Sequence, residues 1–150
     1  MADDSVIGKR FPGYTFPIER GKVREFARAT MTRNPDYLDD PAAPIPPTWL
    51  IASGFWAPEG LENPVASLNI NLARLLHGGQ EFSFFGPPPR AGATLTTESW
   101  IDSIYVQEGK RGGPMRFAER VTEYRDESGK GVAESRTTMI ETGKAPTEES

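Results

Sequence analysis

The sequence predicts an α+β domain in which an antiparallel sheet lies over one buried helix. Between Pro46 and Gly60, residues Thr48, Trp49, Leu50, Ile51, Ala52, Phe55, Trp56 and Ala57 form a run apolar on nearly every side. A helix of that kind has to be covered all round. From Gln80 onward the chain instead carries extended stretches rich in β-branched and aromatic residues, separated by turn signals, the pattern of successive antiparallel strands. The order strand, helix, loop, buried helix, strands leaves the second half to cover the helix.

Residues 1–12 read as a loose entry. From Gly13 the alternation of Tyr14, Phe16 and Ile18 with Thr15, Pro17 and Glu19 predicts a short strand, confined by Pro17 to an edge or bulge. Lys22 to Thr30 places Val23, Phe26, Ala27 and Thr30 at spacings of three and four among charged residues, a surface helix with one buried stripe. Thr32 to Pro47 is dense in proline and short polar side chains and reads as loop, with Asp36, Asp39 and Asp40 as turn formers rather than a metal cluster. The buried helix, Thr48 to Ala57, starts on Pro46-Pro47 and stops at Pro58 and Gly60. At ~1.5 Å per residue it spans ~15 Å, too short for a bilayer.

Leu68, Ile70 and Leu72 alternate in a segment that fits strand or helix. Leu75 opens a strand with Phe82 and Phe84 on one face; Gly86-Pro-Pro-Pro-Arg-Ala-Gly92 is a rigid corner; Thr94 to Val106 is the longest strand. Gly109 to Pro114 forms a hairpin loop, and strands Met115 to Tyr124 and Val132 to Glu141 flank a hairpin turn at Asp126 to Gly131, neither with clean alternation.

One hundred and fifty residues suit a single domain that buries roughly two-thirds of its unfolded surface. The absence of cysteine excludes disulfides and thiol chemistry. With an amino terminus, Met1-Ala-Asp-Asp, that has no basic or apolar signal region, the expected location is the cytoplasm. A net charge of −4 argues against a nucleic-acid footprint, and one histidine without cysteine leaves a zinc site short of ligands. Neither a metal nor an organic cofactor is expected, and no membrane span.

Four motifs in order, Phe26-Ala-Arg-Ala-Thr-Met-Thr-Arg-Asn-Pro-Asp-Tyr-Leu-Asp-Asp-Pro-Ala, Pro46-Pro-Thr, Leu76-His-Gly-Gly-Gln-Glu-Phe and Pro89-Arg-Ala-Gly92, resemble the MaoC-like dehydratases. Within them they are similar to the amino-terminal, FAS1-like dehydratase branch, to which non-catalytic subunits of hydroxyacyl-thioester dehydratases belong. The likeness covers roughly Ile7 to Thr142. It implies a hot-dog fold over residues 1–142, a curved antiparallel sheet wrapped around the central helix, followed by a disordered tail, 143–150. It also implies addition of water to, or its removal from, a 2-enoyl or 3-hydroxyacyl thioester of coenzyme A or acyl carrier protein.

Catalytic members of that family carry Asp-x-Asn-Pro-x-His before the helix. Here Thr32 stands in the aspartate position and Tyr37 in that of the histidine, while Asn34 and Pro35 are kept. A threonine hydroxyl is no base near neutral pH and an unperturbed tyrosine titrates near ~10, so the acid–base pair is missing. The first expectation is therefore an acyl-binding subunit paired, as homo- or heterodimer, with a hot-dog chain that carries the complete motif. Alternatives are a self-sufficient homodimeric hydratase or thioesterase using His77, and a binding module without chemistry.

Candidate site residues follow. His77, the sole histidine, is the one side chain whose ordinary pKa, ~6.5, lies near working pH, and is the candidate catalytic group; a histidine bonded to backbone at a strand start is the bland alternative. Thr32, Asn34, Tyr37, Trp49, Phe55 and Gln80 are candidate substrate-binding residues, the aromatics because acyl pockets have apolar walls. Lys110 and Arg111 are weighed as contacts for coenzyme A phosphates against a solvated hairpin tip.

Overall fold

The computed structural model describes residues 4–110 and 113–143. Arg111 and the tail from 144 onward lie outside the described residues. In chain order the elements are β1 (Arg10–Pro17), α1 (Arg20–Ala29), α2 (Pro35–Leu38), a 3-10 helix (Trp49–Trp56), two short 3-10 turns (Ala66–Leu68 and Leu72–Arg74), β2 (Leu75–Phe84), β3 (Thr94–Gly109), β4 (Gly113–Arg125) and β5 (Gly131–Glu141). The strands form one antiparallel sheet in the order β1-β3-β4-β5-β2. Chain neighbours β1 and β2 thus sit at opposite edges, and everything between them, including the 3-10 helix, crosses one face.

From Asp4 onward the entry is not loose. Val6 and Phe11 are buried, and Ile7 bridges Ile101. Apolar side chains this close to the terminus tie it down. Strand β1 begins at Arg10, and Pro17 ends it at the sheet edge, where a missing amide donor costs no ladder bond. Its register shifts between Pro12 and Thr15. There Tyr14 N donates to Thr97 Oγ1 (3.1 Å), and a Cβ added at Gly13 would lie 1.6 Å from the Thr97 carbonyl oxygen. Only glycine fits this backbone approach. Gly13→Ala is expected to force β1 away from β3 and cost at least the ~1–3 kcal/mol of an overpacked core. Chemical denaturation against the parent chain measures it.

Helix α1 buries Val23 and Ala27 and packs Phe26 against the core, the stripe its spacing predicts. The proline-rich stretch holds one helical turn, α2, with Asn34 as its N-cap: Asn34 Oδ1 accepts from Asp36 N (3.0 Å), and Pro35 occupies the first turn. Asp40 Oδ1 accepts from Ala42 N (2.8 Å), a turn-forming role.

The central helix departs from expectation in two ways. It is 3-10 rather than α, with Thr48 and Ala57 as its caps, and it is covered on one side only. Trp49, Leu50 and Ser53 are buried, whereas Phe55 is 90% and Ile51 50% exposed. A sheet of one chain presents one face, so the far side of a helix laid on it stays open unless something else covers it. The ambiguous segment at Leu68 to Leu72 resolves into the two 3-10 turns, separated by Asn69 at φ 48°.

The remaining strands match their predicted positions within a few residues. The β4–β5 turn is held by Asp126 Oδ1, which accepts from Ser128 N (2.9 Å), Ser128 Oγ (2.6 Å) and Lys130 N (3.1 Å). The Ser128 hydroxyl above all, then the two backbone amides, lower the carboxyl's pKa below its ordinary 3.8. Gly129, at φ 85°, closes the turn. Two apolar clusters result: one built on Phe16, Val23, Trp49, Leu50, Leu95 and Tyr124, the other on Val6, Phe11, Leu68, Ile101, Ala118 and Met139.

Candidate functional site

Residues directly opposite in antiparallel strands share a face, so the register lists what faces the 3-10 helix, row by row. Thr97, Tyr124, Ala133 and Phe84 form one row; the next holds Phe11, Ser99, Thr122, Ser135 and Phe82; the next Ile101, Arg120, Thr137 and Gln80; then Ile104, Ala118, Met139 and, at the edge, His77. The two apolar clusters take the ends of this face, and between them runs a polar band.

A cavity of about 530 Å³ lies over that band. Its floor includes Thr97, Ser99, Arg120, Thr122, Ser135 and Thr137; Leu50, Ser53 and the loop through Pro58 and Leu61 roof it, and Tyr14 stands at one side. Ser53, Thr97, Thr122, Ser135 and Thr137 are all buried. Their hydroxyls are bonded among themselves and to neighbours: Ser99 Oγ with Thr122 Oγ1 at 2.8 Å, Ser53 Oγ with Tyr124 OH at 3.3 Å, and Thr137 Oγ1 donating to Gln80 Oε1 at 2.9 Å. Burial, opposed in part by the Ser53 hydroxyl, raises the Tyr14 phenol above its ordinary 10.0 and keeps it neutral. The carboxylate on the cavity wall is Glu62, which is exposed and bonded to Lys9 Nζ at 3.1 Å. Chemically this is a site of hydroxyl donors and acceptors with one cation, and no paired acid and base among its described lining.

Of the seven candidate residues, Gln80 lines this cavity. The other six lie elsewhere. Trp49 is fully buried in the first apolar cluster, its Nε1 donating to the Lys22 carbonyl (3.4 Å), and Phe55 points outward. Thr32 and Asn34 serve the chain turn: Thr32 Oγ1 accepts from Asn34 N (3.2 Å) and Asn34 caps α2. The Tyr37 carbonyl accepts from Arg20 Nη1 (3.1 Å). His77 is exposed on the edge strand β2, beside a register shift at Gly78. So Thr32, Asn34 and Tyr37 stay together near α2, while His77 sits at a sheet edge. Arg120 and the floor hydroxyls escaped the sequence reading. Their signal was there as Ser and Thr at every second position, Thr97 and Ser99 in β3, Ser135 and Thr137 in β5.

Among the described residues no cluster of His, Asp and Glu could hold a metal ion, and no helix is long and apolar enough to cross a membrane.

The profile of the FAS1-like, dehydratase domain region matches residues 5–135. A UPF0336 protein of Streptomyces coelicolor is 34% identical over 149 residues, covering 92% of this chain and 93% of the relative. A UPF0336 protein of Mycobacterium tuberculosis is 30% identical over 145 residues, covering 91% and 83%. Solved structures share the fold. The truncated HadBC (3R-hydroxyacyl-ACP dehydratase) complex of M. tuberculosis superposes with TM-score 0.67 at 21% identity, covering 90% of this chain and 96% of that one. The ChsH1–ChsH2 complex of the same organism gives 0.70 at 15% identity, covering 95% and 88%. The chain therefore belongs to the FAS1-like dehydratase domain family, and its hot-dog fold is the one it shares with MaoC-like dehydratases of known structure.

Proposed function

We propose that this chain is the acyl-binding subunit of a 3-hydroxyacyl-thioester dehydratase, or enoyl-thioester hydratase, whose catalytic aspartate and histidine come from a partner hot-dog chain carrying Asp-x-Asn-Pro-x-His. The observation that carries the reading is a cavity large enough for an acyl chain whose described wall has no acid–base pair, in a chain with Thr32 and Tyr37 at the dyad positions. Hydration needs a base to take a proton from water and an acid to deliver one to the substrate carbon, and two positioned groups supply this. Neither hydroxyls nor Arg120 do so near neutral pH. The reaction is redox-neutral, so no redox cofactor enters, and the cytoplasm is its place in this proposal.

Two further observations support a partner. Ile51 and Phe55 leave the outer side of the helix apolar and open, and β2 is an edge strand with Leu76 half exposed, a template for pairing with another strand. The similar HadBC and ChsH1–ChsH2 structures are both two-chain complexes. In this arrangement Thr32, Asn34, Tyr37 and His77 would meet substrate only in the assembled pair, whereas Gln80 acts from the cavity wall of this chain alone. Adding a dyad-bearing hot-dog chain to this one should produce turnover of a crotonyl or longer enoyl thioester that neither gives at the same rate alone. If this chain by itself reaches the rate of the mixture, the subunit reading fails.

A further inference from the structure

Arginines on β4 and β5 follow one rule with one exception. Arg116 pairs with Glu141 (3.6 Å), Arg125 with Glu123 (2.8 Å) and Arg136 with Asp102 (2.8 Å). Arg120, the one on the cavity floor, has no carboxylate within 4.0 Å among the described residues; Nη2 makes a long bond to Thr137 Oγ1 (3.4 Å), and the buried Nε has no hydrogen-bond partner. A half-buried, always-protonated guanidinium left unpaired is costly. Hydroxyls and Gln80 surround it, and Phe11, Leu50 and Phe82 give the same cavity an apolar part. An all-hydrocarbon ligand would leave that cation and those hydroxyls desolvated without partners.

Resting on the acyl-thioester reading above, we propose that this cavity selects an acyl chain that ends in a carboxylate. The methylenes lie against Leu50 and Phe82, and the terminal carboxylate accepts from the Arg120 guanidinium, with the Thr137 and Ser99 hydroxyls beside it. A guanidinium and a carboxylate match as a two-bond fork, which gives direction as well as strength.

The test is equilibrium binding, followed by tryptophan fluorescence, of two N-acetylcysteamine thioesters that differ only at the far end: octanoyl, and octanedioyl with one free carboxylate. Free octanedioate and coenzyme A alone are the controls. The wild-type chain should bind the carboxylate-ended thioester about tenfold to a hundredfold more tightly than its alkyl twin, the worth of a hydrogen bond to a charged group. Arg120→Gln should erase the preference, and Arg120→Lys, which keeps the charge but not the fork, should keep part of it. Equal wild-type affinity for the two thioesters overturns the proposal whether or not any variant folds. Arg120-dependent binding of coenzyme A without the diacid preference also overturns it, because the anion recognised would then be a phosphate. Arg120-dependent binding of free octanedioate with no binding of either thioester supports the carboxylate site and overturns the thioester reading it rests on.

Discussion

Trp49→Ala should cost about 3–5 kcal/mol of folding stability, the range for deleting a fully buried aromatic. Its ring is 0% exposed and lies 6.3 Å from Phe16 and 5.9 Å from Trp56, centroid to centroid. The cavity left behind has little chance to collapse, because Phe16 is itself fixed against Tyr124 in an edge-on contact at 6.3 Å. At roughly 2–4 °C per kcal/mol for a chain of this size, the melting temperature should fall by about 6–20 °C. Phe55→Ala is the matched control: 90% exposed, it should change the stability of the lone chain by less than about 0.5 kcal/mol. A reversal of the two effects would mean that the helix is packed the other way round.

The second large effect is kinetic. Positioned acid and base groups contribute about 10²–10⁴-fold each, so a chain with Thr32 and Tyr37 in their places should hydrate an enoyl thioester several orders of magnitude more slowly than a complex that includes the dyad. Binding survives that loss, since the cavity on the sheet's inner face does not include either residue. Stopped-flow hydration under single-turnover conditions separates the two: the lone chain should show ligand-dependent tryptophan quenching with no matching product formation.

Strand positions and the β4–β5 turn were legible because turn chemistry is local, as Asp126 and Gly129 show. The inner face of the sheet was not, for a physical reason. Strand β5 alternates in burial at Ala133, Ser135, Thr137 and Met139, but two of those four are hydroxyls satisfied by cross-strand partners, so hydropathy shows no period where burial does. The same masking hid the cavity: a floor of Ser and Thr reads as surface until the register closes. Apolarity on all sides at Thr48 to Ala57 calls for cover all round, by the sheet and by a second chain; in the single chain Ile51 and Phe55 keep their outer side open. Residues 111–112 and 144–150, which include Arg111 and most of the expected tail, lie outside the described residues.

The most direct measurement of whether this chain supplies binding rather than chemistry is the turnover of an enoyl thioester by the reconstituted two-chain complex carrying His77→Ala in this chain, set against the same substitution in the lone chain. His77 is exposed on an edge strand, so the substitution leaves the core intact. The account predicts that the complex keeps most of its kcat, with any loss appearing in KM, and that the lone chain is slow both before and after. Brisk hydration by the lone chain, abolished by His77→Ala with folding unchanged, would contradict it.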